Sequence, residues 1–212
     1  MKRSMQGAMA AAMLAFAAGQ VQAQTVSGTA TGCFSATIGG CSPGTSSSFG
    51  TLTYYGSSFS DVVNSFGIVN FGGNAVANTS NFNNFGAFQL GSGPFVFGSP
   101  SSPSEFFTLM LAFTSPANGS TLFSSTVTGQ VLSNGGGGAT INFFNNAYQQ
   151  VGSTSIMARV NDVDINSGQT IAGSGAVTAV TATPEPASLV LLGTGLLGVL
   201  GIGRRRSRSS NA

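Results

Sequence analysis

The sequence contains no histidine and no tryptophan, and only 6% of its residues are charged. Without histidine, Ser-His and Cys-His nucleophilic sites cannot be assembled, and a common metal ligand is missing. Lysine occurs once, at Lys2 near the amino terminus, so a Ser-Lys pair in the body of the chain is excluded as well. Gly173-Ser174-Gly175 lacks the flanking pattern of a nucleophile elbow, and the glycine run 135–138 lacks the Gly-Lys-Ser/Thr of a phosphate loop. Carboxylate chemistry survives these exclusions, because a glycosidase needs only two acidic groups across the scissile bond. With no tryptophan and only Tyr54, Tyr55 and Tyr148, few amphipathic rings remain for a sugar to stack on.

The few charges are also unevenly placed. Six of the seven basic residues lie at the two ends: Lys2, Arg3, Arg204, Arg205, Arg206 and Arg208. Between residues 24 and 183, Arg159 stands alone against Asp61, Glu105, Asp162 and Asp164, a net charge of −3. The formal +2 of the whole chain therefore belongs to its ends, and the body has no electrostatic footprint for nucleic acid.

The amino-terminal end reads as a secretory signal peptide over residues 1–23. Lys2 and Arg3 form its basic start, residues 8–18 its apolar core, and Val21-Gln22-Ala23 its small-residue cleavage site. Signal peptidase is expected to cut after Ala23 and leave Gln24 as the mature terminus. At the other end, Pro184-Glu185-Pro186 precedes an uncharged apolar run, 187–203, and then the arginines at 204, 205, 206 and 208. As a helix those seventeen residues would reach about 26 Å, slightly short of a hydrocarbon core of roughly 30 Å. Flanking residues or local thinning would close the gap. The arginines would stop transfer at the cytoplasmic headgroups. The prolines force an extended, exposed stretch just outside the membrane, a shape suited to a protease cleft.

This order of motif, apolar span and basic end closely resembles the PEP-CTERM sorting signal of Gram-negative bacteria. The resemblance implies transient residence in the inner membrane, processing by an exosortase-type enzyme, and a final place at the cell surface or in the extracellular matrix. It also implies, for the family, a structural or adhesive role among exopolysaccharides.

The 160 residues from 24 to 183 suffice for one domain with a real core. Their pattern predicts an all-β fold, an antiparallel β-sandwich of jelly-roll or Greek-key type, with no sustained helical period outside the two ends. Residues 121–132 alternate most clearly, with Phe123, Val127 and Val131 on one face and Ser124, Thr126 and Thr128 on the other. Residues 105–114 are apolar on both faces and read as a central strand buried on both sides. Ile141 and Phe143 mark another strand, and residues 153–160 and 169–181 two more, with Asn166-Ser167-Gly168 as a turn. Turns are also expected at Ser115-Pro116-Ala117-Asn118-Gly119, at Asn134 with its following glycines, and at Asn145-Asn146.

From 24 to 84 the pattern is looser, and residues 74–84 read as a long mobile loop. The stretch 81–88, rich in Phe, Asn and Gly, reads as exposed and open to fibril-like self-association. The stretch from Phe85 through Val180 resembles a β-sandwich module that recurs in PEP-CTERM proteins. Phe85-Gly86-Ala87-Phe88, Phe107-Thr108-Leu109, Gly119-Ser120-Thr121 and Val160-Asn161-Asp162-Val163 carry that resemblance.

Cys33 and Cys41, the only cysteines, lie eight positions apart in an exported domain and are expected to form a disulfide. Asp162 and Asp164 would share one strand face; with Asn161 and Asn166 they offer hard oxygen ligands for calcium. Neither the sixth-position glycine nor the distal glutamate of an EF-hand loop is present, and a solvated strand end is the simpler reading. No catalytic residue, no other metal site and no cofactor is expected. The readings in order are a structural or adhesive matrix protein, a carbohydrate-binding module, and a carboxylate-based glycoside hydrolase.

Overall fold

Short runs that alternate apolar residues with Ser, Thr and Asn, punctuated by glycine, build a fold whose regular elements, among the described residues, are all strands. The computed structural model describes residues 24–75, 81–98, 106–145 and 147–179. The expected signal peptide at 1–23, the Pro-Glu-Pro motif, the apolar run 187–203 and the arginines at 204, 205, 206 and 208 all lie outside these residues.

In chain order the strands are β1 (Thr25–Ser35), β2 (Ser46–Phe49), β3 (Leu52–Tyr55), β4 (Ser57–Val62), β5 (Ile68–Phe71), β6 (Asn81–Phe82), β7 (Ala87–Leu90) and β8 (Phe95–Phe97). There follow β9 (Phe106–Ser115), β10 (Gly119–Val131), β11 (Gly137–Phe143), β12 (Gln149–Gln150), β13 (Ile156–Val160), β14 (Val163–Asn166), β15 (Thr170–Ala172) and β16 (Gly175–Ala179). The largest sheet has the order β14-β11-β10-β9-β1-β4-β6, and β8 pairs with β10 where β9 has ended. Two four-stranded sheets, β12-β13-β16-β5 and β15-β7-β3-β2, complete the fold. All pairings are antiparallel except the two-residue contact of β4 with β6.

The three sheets turn their apolar faces to one core, the layering that a sandwich requires. Aromatic rings carry the contact between layers. Phe107 of the large sheet lies 4.9 Å from Tyr54 and 5.0 Å from Phe88, both on β15-β7-β3-β2. Phe59 of the large sheet lies 5.0 Å from Phe71 on β12-β13-β16-β5, and 5.3 Å from Phe113 beside it. Such tilted and edge-on pairs add directional attraction to the burial of their area. Burial also pushes the Tyr54 hydroxyl far above its ordinary pKa, and it stays a neutral donor to the Phe85 carbonyl at 3.2 Å.

The expected strands at 121–132 and around Ile141 are β10 and β11, joined through the glycine turn as a hairpin. Several expectations change. Strand β9 is fully covered on one face, at Phe107, Leu109, Leu111 and Phe113, but only in part on the other, where Thr108 is buried and Phe106, Met110 and Ala112 are half-buried. The run 169–181 divides at Gly173-Ser174 into β15 and β16, which belong to different sheets. Small residues let the backbone cross there, and Gly173 bonds Phe85 and Gly86 on the way.

The segment before residue 85 supplies β1, an eleven-residue strand at the centre of the large sheet. Its inward positions include Gly28 and Gly32, over which aromatic rings lie directly. A Cβ on Gly28 would meet the Phe59 ring at 2.6 Å, and one on Gly32 would meet Phe107 at 2.4 Å. Glycine in the strand trades propensity for this close ring-to-backbone approach.

The Asn-rich stretch 81–84 is likewise built in. Asn84 is fully buried; its carbonyl accepts from Ser57 Oγ and its Oδ1 accepts from Gly86 N at 3.0 Å. Phe85 and Phe88 are core residues, so the stretch 81–88 is not the exposed surface expected of it; Phe82 alone of its rings stands out.

Candidate functional site

Among the described residues the body contributes two things to the ends of the chain: where they leave it, and what lies beside them. The final strand, β16, is flanked on both sides, by β13 and by β5. Ala179 N donates to Gly67 O at 3.0 Å, and Val63 N donates to Gln24 O at 2.8 Å. Both termini of the body are thus pinned around the turn that joins β4 to β5. Pro184 follows five positions after Ala179 in sequence, and the chain leaves the described residues from an interior strand rather than from a sheet edge.

The Cys33–Cys41 disulfide is present, with Cα atoms 6.1 Å apart. Cys33 is buried near the end of β1 opposite Thr108 of β9, and the bridge closes the chain that leads to the Gly32–Gly44 contact. Removing both sulfurs (Cys33→Ala with Cys41→Ala) is expected to lower unfolding stability by about 2–3 kcal/mol, the entropy of an unfolded loop this small. A denaturation curve under non-reducing conditions checks it; an unchanged midpoint would count against a stabilising bond.

Asp162 and Asp164 both project outward, as expected of one strand face. Each has a structural partner. Asp162 Oδ1 accepts from Phe143 N at 2.8 Å, and Asp164 Oδ1 accepts from Thr140 Oγ1 at 2.7 Å. Asp162 fastens the link between β13 and β14 to the end of β11. Asp164 makes a cross-strand pair within β11–β14. Among the described residues no three of His, Cys, Asp and Glu gather as metal ligands, so the two carboxylates find no acidic third partner for a cation.

Arg159 was legible only as a lone cation. In the fold it extends outward from β13, with its guanidinium carbon 5.4 Å from the ring centroid of Tyr148. The β12–β13 register, with Gln149 opposite Ala158, brings Tyr148 level with Arg159. Sequence distance conceals this pairing. Met157, Thr178 and Ile68 form the neighbouring row across the same sheet.

The family model of the PEP-CTERM protein-sorting motif matches residues 182–207. The chain carries a PEP-CTERM sorting motif. The match takes in Pro184, Glu185, Pro186, the apolar run and Arg204, Arg205 and Arg206, and ends one residue before Arg208. The PEP-CTERM signal supports export, processing by an exosortase-type enzyme, and sorting to the cell envelope or surface. No curated protein and no solved structure matches the chain.

Proposed function

We propose that this chain is a secreted structural or adhesive protein of a Gram-negative exopolysaccharide matrix. Signal peptidase removes residues 1–23, the apolar run 187–203 holds the precursor in the inner membrane, and an exosortase-type enzyme cuts near Pro184-Glu185-Pro186. The β-sandwich body, read as of jelly-roll or Greek-key type, then remains at the cell surface or in the matrix. The observation that carries the reading is the PEP-CTERM match at 182–207 behind a signal-like amino terminus. A body with one cation, four carboxylates and many exposed hydroxyl and amide groups supports it, because such a surface coheres with glycans through neutral hydrogen bonds. Lacking histidine and lysine between 24 and 183, the body is proposed to be non-catalytic.

The Tyr148–Arg159 stack favours a second reading, a carbohydrate-binding module with a defined platform. Enzymatic removal of exopolysaccharide from intact cells should release the mature protein into the medium if the matrix holds it; retention on stripped cells would contradict the matrix role. A saturable affinity for one purified glycan, lost in Tyr148→Ala, would favour the second reading over the first.

A further inference from the structure

The turn between β4 and β5 displays an apolar ring in a fixed position. Phe66 is 85% exposed, the most exposed of the large hydrophobic side chains among the described residues, and Val62, four positions before it, is 51% exposed. The turn beneath Phe66 is closed by its own hydrogen bonds. Asn64 Oδ1 accepts from both Phe66 N and Ile68 N at 3.0 Å, and Asn64 N donates to Ile68 O at 3.1 Å. Gly67 takes a φ of +76°, which glycine alone adopts without strain, and its N–H donates to Asn64 O at 3.0 Å. Residues 62–68 carry no charge. Phe66 thus sits on a hydrogen-bonded, uncharged turn.

The chain length limits how far this turn can be from an anchoring membrane. Gly67, next to Phe66, accepts the Ala179 N–H at the point where the chain leaves the body. From Ala179 to Ala187, the first residue of the apolar span, are eight steps of at most roughly 3.4 Å, a full reach of about 27 Å. The lipid headgroups fill about 5–8 Å of that distance. While the precursor is anchored, the exit end of the body can therefore lie no farther from the bilayer than a short extended linker allows.

From this placement we infer that the Phe66 turn, with Val62, docks into the interface of the lipid bilayer to which the tail anchors the precursor. The inference rests on the proposed reading of residues 187–203 as a membrane span. Tethering makes the contact intramolecular, so a very small apolar area suffices. Asp61, the nearest charge in the sequence, has its Oδ1 engaged by Val62 N at 2.7 Å and offers anionic lipids no attraction. Asp61 is an exposed carboxylate that anionic lipids repel, so docking is apolar and salt does not weaken it. It also fixes the height at which Pro184-Glu185-Pro186 meets its processing enzyme.

The protein has no tryptophan, so Phe66→Trp introduces a single indole at the turn. Leu132→Trp is the control: Leu132 is 44% exposed and follows the far end of β10, whose start is level with Gly28 near the exit. Full-length F66W and L132W chains are reconstituted through their own tails into vesicles of phosphatidylethanolamine and phosphatidylglycerol containing brominated phosphatidylcholine. Cooperative unfolding curves that match the natural chain's confirm folding in both variants. The F66W emission is expected to shift to the blue and to be quenched several-fold more strongly by the brominated lipid than L132W, and to keep that quenching in high salt. A chain that floats with the vesicles while its F66W indole stays unquenched overturns docking and leaves the anchor standing. A blue shift indifferent to bromination means a second copy covers the turn, which also overturns it. A chain that does not float at all overturns the anchor and the docking together.

Discussion

Truncating Phe107 to alanine is expected to lower the folding free energy by about 4 kcal/mol, enough to remove most of the stability of an ordinary domain. The ring is fully buried and touches all that holds the layers together at that point. Phe34 and Tyr54 lie 4.9 Å from it, Phe88 5.0 Å and Phe143 6.5 Å. The backbone of Gly32 lies against it from the side of β1. No neighbour can fill the space, because each is fixed by a ring contact or by the strand ladder, so the cavity term adds to the lost transfer energy. Urea denaturation of the mature protein measures the effect. A loss below about 1 kcal/mol would mean that the large sheet and its partner do not share this core.

Replacing Pro184-Glu185-Pro186 by three alanines is expected to abolish the surface form and leave full-length precursor in the inner membrane. The apolar run would still insert, but alanines remove the extended stretch that enters a protease cleft, since they extend the helix where proline forbids it. Replacing Arg204, Arg205, Arg206 and Arg208 should act differently, weakening the stop so that the tail slips through or inverts. Immunoblots of membrane and surface fractions separate the two outcomes. Processing of the alanine variant like the natural chain would reduce the tail to a plain anchor.

What could be read from the residues depended on whether the signal was local. The sorting motif was legible because motif, span and arginines are contiguous, and β10 and β11 because apolar alternation and a glycine turn need no distant partner. Strand β1 was hidden for a physical reason. Its inward residues include Gly28 and Gly32, whose missing side chains are replaced by the rings of Phe59 and Phe107 from other strands. Hydrophobic periodicity cannot register a core position filled from elsewhere.

The division of 169–181 was equally invisible, since β15 and β16 continue one pattern and differ only in the sheet they join. The stretch 81–88 looked polar enough to be exposed, yet the Ser57, Asn84 and Gly86 hydrogen bonds let its backbone lie beneath the core aromatics. At the surface, no sequence reading marked the turn at 64–67; the β16–β5 register and the Ala179–Gly67 hydrogen bond show that it sits where the chain departs.

The central claim is that the tail is a processed sorting signal and that the body alone is the working form. Intact-mass measurement of the protein isolated from the surface and matrix fraction of its native host tests this most directly. The account predicts a species that begins at Gln24, keeps the Cys33–Cys41 disulfide and lacks Arg204, Arg205, Arg206 and Arg208. A surface species that retains those arginines would contradict it.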